Sequence, residues 1–253
     1  MNILLTNDDG YFAPGIIRLY ETLIKEHDVL LVAPDREKSA VAHGISLNQP
    51  LRISKIDLPE SGRGFTINGT PTDCIKLALF ELCQSPPDLV ISGINPGSNT
   101  GININYSGTV AAAREAVLNN IPAIAASIEL SDQRHLDFTG MSQFVLSLIK
   151  KVDFTQIDTR TFLNINAPDL PLDQTKGVRI TCQSDINISE AFVKRQDPKG
   201  RPYYWYGRVG KPDCEKNSDI HAMAEGYISI SPIKCNVTST REIDMLKTLE
   251  DYL

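Results

Sequence analysis

The sequence predicts an α/β fold in which helices cover both faces of a mostly parallel β-sheet. Through the first half of the chain, short apolar runs alternate with amphipathic stretches of helical length. This alternation is typical of strand–helix–strand units, whose strands run parallel to one another. The chain has 253 residues, of which 42% are hydrophobic, and this is enough for one large domain. We therefore expect a three-layer α/β/α sandwich.

Apolar runs that are short, aliphatic and bounded by turn or helix signals are the predicted strands of this sheet. They cover residues 2–6, 28–33, 88–92, 122–127 and 162–166. The first run ends in Asn7-Asp8-Asp9-Gly10, a sequence that is typical of a turn. After the last run the alternation stops, so we expect the core of the domain to span residues 1–170.

Amphipathic stretches between these runs are the predicted helices. They cover residues 14–27, 70–83, 107–120 and 136–152. Pro14 and Pro71 suit the first turn of a helix, where a missing backbone N–H costs no hydrogen bond. Thr70 is a suitable N-cap for the second helix, and Asp73 lies near its positive end.

Residues 171–253 are expected to extend the same domain, because the chain shows no internal repeat and no low-complexity tract. A strand, a hairpin arm and a C-terminal helix are predicted over residues 176–183, 190–210 and 240–253. The aromatic cluster Tyr203-Tyr-Trp-Tyr206 lies in the arm. Exposed aromatic residues there indicate either a dimer contact or a plain surface hairpin.

Charge and composition exclude several classes of protein. The net charge is −6 without a long basic run, so double-stranded nucleic acid is not an expected partner. The five cysteines are scattered and form no Cys-x-x-Cys pair, which indicates reduced thiols and a cytoplasmic location. Residues 1–6 lack the basic start of a signal peptide. No apolar run reaches the roughly 18 residues of a membrane span, so no membrane association is expected.

Polar side chains follow three of the predicted strands, at the edge of the sheet where ligands of open α/β folds bind. Asp8 and Asp9 follow the first strand, Ser39 follows the second, and Asn95 and Asn99 follow a later one. Carboxylate, hydroxyl and amide oxygens together suit Mg²⁺ or Mn²⁺ and are poor ligands for zinc or copper. Taken alone, the acidic pair also fits a solvated turn.

A second candidate feature is the start of the small-residue helix at Ser107-Gly108-Thr109. Free backbone N–H groups and the positive end of the helix dipole favour a phosphate there, and the two hydroxyls add donors. The segment is neither a Walker A loop nor a Gly-x-Gly-x-x-Gly turn. An ordinary serine N-cap is the alternative interpretation.

The chain resembles the SurE family of metal-dependent nucleotidases along nearly its whole length. The matching blocks are Ile3-Leu-Leu-Thr-Asn-Asp-Asp-Gly10, Ala33-Pro-Asp-Arg-Glu-Lys-Ser39, Asn68-Gly-Thr-Pro-Thr-Asp73, Pro87-Asp-Leu-Val-Ile-Ser-Gly-Ile-Asn95-Pro-Gly-Ser-Asn99-Thr-Gly, Tyr106-Ser-Gly-Thr-Val-Ala-Ala-Ala-Arg-Glu115, and Ser218-Asp219 with Ser231-Pro232. The resemblance implies one SurE-like domain over residues 1–253 with a Rossmann-like core. It also implies a homodimer or homotetramer held partly by the hairpin arm and the C-terminal helix.

The same resemblance implies a function and its residues. Asp8, Asp9, Ser39 and Asn95 would bind one Mg²⁺ or Mn²⁺ per subunit. The reaction would be hydrolysis of nucleoside 5′- and 3′-monophosphates, and of short polyphosphate, by a water molecule that the cation activates.

Roles for the remaining candidate residues follow as a hypothesis. Ser107, Gly108 and Thr109 would bind the equatorial phosphate oxygens. Asn99 would orient the water or the phosphate. The candidate catalytic residues are therefore the two acidic metal ligands and the two residues that would contact the reacting groups: Asp8, Asp9, Asn99 and Ser107.

Two other functions remain open from the sequence. A phosphatase of the haloacid dehalogenase type would use an aspartate nucleophile after the first strand, although its Asp-x-Asp signature differs from the adjacent pair here. A nucleotide-binding module without turnover is the second. The leaving-group acid is not evident, since His43, Asp219 and His221 are each only weak candidates.

Overall fold

The computed structural model describes residues 1–131, 135–185, 190–208 and 215–250, and within them nine strands form one sheet while two form a separate hairpin. The strands are β1 (Asn2–Thr6), β2 (Asp28–Pro34), β3 (Ile53–Asp57), β4 (Arg63–Ile67), β5 (Leu89–Pro96), β6 (Ala123–Ile128), β7 (Thr161–Ala167), β8 (Val178–Ile180), β9 (Glu190–Gln196), β10 (Pro202–Arg208) and β11 (Ile228–Lys234). The α-helices are α1 (Pro14–Leu23), α2 (Pro71–Leu77), α3 (Gly108–Leu118), α4 (Phe138–Lys151), α5 (Asp219–Ala224) and α6 (Thr240–Leu246).

The large sheet has the strand order β3-β4-β2-β1-β5-β6-β7-β11-β8. Its six central strands, from β4 to β7, are parallel. β3 is antiparallel to β4 at one edge, and β11 is antiparallel to β7 near the other, with β8 parallel to β11. The prediction of a mostly parallel sheet is therefore confirmed.

Helices cover both faces of this sheet, as predicted. α1 and α4 pack together on one face, and α2 and α3 pack together on the other. Successive side chains of a strand point to opposite faces, so each central strand serves both layers. In β1, Leu4 is buried in the core beneath α2 and α3, and Leu5 is buried in the core beneath α1 and α4.

The C-terminal part contains more regular structure than the sequence predicted. α5 and β11 were not expected, and β11 enters the main sheet between β7 and β8. The hairpin prediction is confirmed by β9 and β10, which pair in antiparallel register. The predicted last helix is shorter: α6 ends at Leu246 and a 3₁₀ turn follows over Lys247–Leu249, while residues 251–253 lie outside the described part. No helix in the described ranges is long and apolar enough to cross a membrane.

The chain order of the strands reverses at β1. From β1 the chain passes to β2 on one side, and β5 later pairs with β1 on the other side. Ligands of open α/β sheets bind beyond the carboxyl ends of the strands at such a reversal. A register shift between Ser92 and Asn95 of β5, where Gly93 has a φ of +134°, changes the direction of the strand as it reaches this edge.

Candidate active site

A cavity of about 540 Å³ opens at the carboxyl ends of β1 and β5. It brings together predicted residues from four separate segments of the chain. Those that line it are Asp8, Ser39, Asn95, Asn99 and Ser107. A larger cavity of about 680 Å³ lies near Met1, Asn120 and Thr161 and contains none of the predicted site residues. The chemistry of the lining therefore selects the smaller cavity.

Asp8 is the most enclosed of the candidate ligands, with 3% of its surface exposed. Burial raises the pKa of its carboxyl group, because removal from water disfavours the charged form. The Thr109 hydroxyl donates a hydrogen bond to Asp8 Oδ1, and the N–H groups of Gly108 and Thr109 also favour the charged carboxylate. The start of α3 therefore supports Asp8 directly.

Gly108 permits this close approach of helix and carboxylate. A Cβ atom at position 108 would lie 2.8 Å from Asp8 Cβ and 2.9 Å from Asp8 Oδ2, closer than packed atoms allow. The absence of a side chain at Gly108 is therefore a steric requirement of the Asp8 position.

Among the described residues, Asp9 has no positively charged partner. Burial is the largest cause that raises the pKa of the Asp9 carboxyl, and repulsion from Asp8 and Glu37 adds to it, so that the pKa reaches about 7. Its Oδ2 atom is buried and has no hydrogen-bond partner among the described residues. Two adjacent carboxylates with an unpartnered oxygen fit a hard divalent cation, which would offset the repulsion.

Ser39 and Asn95 each leave an oxygen free to accept a cation. The Ser39 hydroxyl donates to Glu37 Oε1 at 2.8 Å, so its lone pairs remain accessible. Asn95 Nδ2 donates to the Gly97 carbonyl at 2.5 Å, so Oδ1 is the atom of this side chain that could accept a cation. Among the described residues, no group of three or more His, Cys, Asp or Glu side chains is arranged to hold a metal. The candidate set therefore combines two carboxylates with two neutral oxygens.

Asn99 is fixed by its neighbours on β6 and β7. Its N–H donates to Asn166 Oδ1 at 2.7 Å, and its carbonyl accepts from Asn164 Nδ2 at 2.8 Å. Its own Nδ2 donates to Ser127 Oγ at 2.9 Å. These bonds hold the residue rigidly at the cavity wall, and its predicted role toward water or phosphate remains a prediction.

The three residues at the start of α3 make different contacts. Ser107 Oγ accepts a hydrogen bond from the Val110 N–H at 3.1 Å, so the serine caps the helix while it also lines the cavity. Gly108 and Thr109 are buried and contact Asp8, and neither of them lines the cavity. Their predicted contacts to phosphate stay predictions.

The three weak candidates for the leaving-group acid lie away from the described lining of the cavity. His43 Nε2 pairs with the buried Glu115 at 2.9 Å. The Asp219 carboxylate accepts N–H bonds from Gly101 at 2.8 Å and Ser184 at 3.1 Å, and so anchors the loop before α3. His221 lies 3.8 Å from Glu225.

The cavity also has lining residues that were not among the predicted site residues: Ala40, Pro96, Gly97, Ser98, Asn103, Tyr106 and Tyr206. Asn103 lies between the predicted site residues Asn99 and Ser107, and its buried Nδ2 has no hydrogen-bond partner within the described ranges. Tyr106 directly precedes Ser107, so its proximity could have been inferred. The proximity of Tyr206 could not have been inferred, because no local pattern indicates that the hairpin reaches the cavity.

Comparisons with known proteins place the chain in one family. The family model "Survival protein SurE" matches residues 3–190. A "5'-nucleotidase SurE" of Desulfatibacillum aliphaticivorans is 44% identical over 98% of this chain and 97% of its own length. One of Syntrophobacter fumaroxidans is 42% identical over 97% of this chain and 98% of its own.

A similar solved structure extends the match to three dimensions. The crystal structure of the SurE protein from Aquifex aeolicus aligns with a TM-score of 0.84 at 37% identity, covering 99% of this chain and 100% of that one. The sequence blocks, the fold and these near-complete matches lead to one conclusion: the chain belongs to the SurE family.

Proposed function

We propose that this protein is a divalent-metal-dependent 5′-nucleotidase, a phosphomonoesterase that releases phosphate from nucleoside monophosphates. The observation that carries the proposal is the adjacent carboxylate pair Asp8 and Asp9, of which Asp8 is buried and lines a cavity of about 540 Å³, within the usual range of small-molecule sites, while Asp9 follows it directly and is partly buried. The names of the relatives support the same reaction. The proposal extends to 3′-monophosphates and short polyphosphate.

One Mg²⁺ or Mn²⁺ per subunit would be held by Asp8, Asp9, Ser39 and Asn95. When bound, such a cation supplies Lewis acidity and lowers the pKa of a coordinated water. Hydrogen bonds from Thr109 and the α3 N-terminus orient Asp8 and favour its charged form, against the larger effect of burial. Ser107 retains a hydroxyl proton to donate to a phosphate oxygen, because its capping bond uses only its lone pair.

The proposal is tested by phosphate release from a panel of nucleoside 5′- and 3′-monophosphates with Mn²⁺, Mg²⁺ or EDTA. We expect metal-dependent turnover that EDTA abolishes. Asp8→Asn should lower kcat/KM by at least about 100-fold. Loss of a residue that only supports a metal ligand already costs about 10–100-fold, and Asp8 would bind the cation directly. Asp57→Asn, on the exposed edge strand β3, is the matched control and should keep its activity. Activity of Asp8→Asn within a few-fold of the parent would contradict the assignment.

The alternative of a phosphatase of the haloacid dehalogenase type, with an aspartate nucleophile, is tested in a separate experiment. An aspartate nucleophile would leave labelled phosphate on the protein after acid quench during turnover, whereas attack by water leaves none. We expect no labelled protein. A nucleotide-binding module would bind the same nucleotides and release no phosphate from any of them.

The proposed assembly is a homodimer or homotetramer in which the hairpin arm and α6 contribute contacts. Exposed apolar side chains on both elements support this: Phe192, Val193, Tyr204, Trp205, Ile243, Met245 and Leu246. Light scattering coupled to size-exclusion chromatography would measure the mass in solution, and a monomeric mass would contradict the proposal. We also propose that residues 1–253 form one domain.

A further inference from the structure

The candidate active-site cavity has an aromatic wall as well as a polar one. Tyr106 and Tyr206 both line it, together with Asp8, Ser39 and Ser107. These tyrosines come from distant parts of the chain, one before α3 and one on the hairpin strand β10. Tyr106 is 54% exposed and Tyr206 is 55% exposed, so much of each side chain is available for contact.

Tyr106 is placed close to the phosphate-binding end by its backbone. It directly precedes Ser107, the N-cap of α3. Its carbonyl accepts from the Ala42 N–H at 2.9 Å, and its N–H donates to the Asn103 carbonyl at 3.0 Å. These bonds tie the residue to the loop that carries Ser39.

Tyr206 is supported by the neighbouring strand of the hairpin. It lies opposite Phe192 in the β9–β10 register, and the two rings meet edge to face with centroids 5.7 Å apart and planes at 80°. This geometry is a favourable one for an aromatic pair. Of the four consecutive aromatic residues 203–206, Tyr206 is the one that lines the cavity as described.

We propose that Tyr106 and Tyr206 form the binding wall for the nucleobase of the substrate. This inference rests on the proposed nucleotidase function and names the part of the substrate that the aromatic side chains contact. A nucleoside monophosphate has an anionic end and a flat aromatic end, which match the polar and aromatic walls of one cavity. Stacking on tyrosine tolerates every base, so the wall predicts a broad base preference.

The test compares two phosphate esters that differ in the base: adenosine 5′-monophosphate and ribose 5-phosphate. Tyr206→Ala should raise KM for adenosine 5′-monophosphate by about tenfold, a typical loss for one stacking contact. The KM for ribose 5-phosphate should stay within about twofold of the parent, since that ester has no base to stack. Tyr206→Phe should restore the parent KM, because stacking needs the ring and not the hydroxyl.

Tyr203→Ala is the matched control, because Tyr203 lies three residues before Tyr206 on β10, so its side chain points to the opposite face of the hairpin and does not line the cavity. It should leave both KM values unchanged. If Tyr206→Ala raises KM equally for both esters, or for neither, the base-wall assignment is wrong.

Calorimetry with adenosine and with inorganic phosphate separates this inference from the proposed function. Tyr206→Ala should weaken adenosine binding by about tenfold and leave phosphate binding unchanged. If the parent protein hydrolyses neither ester, the nucleotidase proposal fails. The comparison of adenosine affinity between the parent and Tyr206→Ala then tests the aromatic wall by itself. Equal adenosine affinity in the parent and Tyr206→Ala would overturn it.

Discussion

At the scale of single residues, the position of Asp8 depends on a neighbour without a side chain. Gly108→Ala would place a Cβ 2.8 Å from Asp8 Cβ, so the carboxylate or the start of α3 must move. Alanine favours a helix over glycine by about 1 kcal/mol, so a loss of activity in this variant cannot come from a lower helix propensity. We expect at least a tenfold loss of kcat/KM and weaker Mn²⁺ binding by calorimetry, with an unchanged far-UV circular dichroism spectrum. Parent-like values in both assays would show that the contact is not needed.

Glu115 is a second residue with a defined electrostatic role, away from the cavity. Burial would raise the pKa of its carboxyl group, but hydrogen bonds from His43, Lys76 and Asn119 outweigh burial and lower it below its usual 4.5. A carboxyl group with a lowered pKa in the folded state stabilises the fold above its unfolded pKa. That stability is lost as the pH falls through the folded value.

Glu115→Gln should therefore lower the free energy of unfolding by about 1–2 kcal/mol at pH 7, as expected for loss of hydrogen bonds to a charged group. The difference from the parent should shrink between pH 7 and pH 3, because the parent carboxyl takes up a proton as the pH falls toward its lowered pKa. Lys76 is 44% exposed, so its share is reduced by solvent screening. Urea titrations at both pH values measure this, and a difference that does not change with pH would contradict the role of the charge.

Much of the candidate site could be predicted from the sequence because strand ends and helix starts leave local patterns. Asp8, Ser39 and Asn95 follow predicted strands, and parallel strands bring their carboxyl ends to one edge. The pairing of Thr109 with Asp8 left no such pattern, since it depends on the distance between α3 and β1. Contacts of this kind are set by packing, which the local sequence does not encode.

At the scale of elements, the start of α2 is the best-defined cap in the chain. Thr70 Oγ1 accepts from the Asp73 N–H at 3.1 Å, and Asp73 Oδ2 accepts from the Thr70 N–H at 2.9 Å. The Thr70 hydroxyl also donates to the Gly44 carbonyl at 2.8 Å, so the cap anchors the loop after β2. The sequence predicted this cap correctly.

Thr70→Ala should destabilise the protein by about 1–2 kcal/mol, because both the cap and the loop anchor are lost. Ser239→Ala is the matched control, since Ser239 precedes α6 without a side-chain bond to its backbone. Its effect should remain within about 0.5 kcal/mol. Thermal or urea unfolding of the two variants measures the difference, and equal effects would argue against the capping role of Thr70.

The elements that the sequence missed share a physical cause. β3 is mostly exposed at the edge of the sheet, so it lacks the apolar run that identified the central strands. β11 alternates buried Ile228 and Ile230 with serines that are also buried, which hides its apolar character. Its serines are satisfied across the sheet, where Thr181 Oγ1 lies 2.7 Å from both Ser229 Oγ and Ser231 Oγ. Such partners come from distant sequence and cannot be read locally.

At the scale of the whole molecule, β11 joins the C-terminal part to the core. Because β11 pairs with β7, residues 228–234 contribute to the same sheet as β1. We therefore expect Leu4→Ala and Ile230→Ala each to cost about 2–5 kcal/mol and to shift one common unfolding transition. Circular dichroism during urea unfolding measures this. Two transitions, with only one of them moved by Ile230→Ala, would contradict a single folding unit.

The distribution of the cavity lining along the chain also has a consequence for synthesis. Asp8 is synthesised long before Tyr206, although both line the same cavity. At about 5–20 residues per second, roughly 10–40 seconds separate the two. During that interval a nascent polypeptide carries its acidic pair without the complete pocket. A chain in that interval therefore lacks part of the wall that we propose for the base of the substrate.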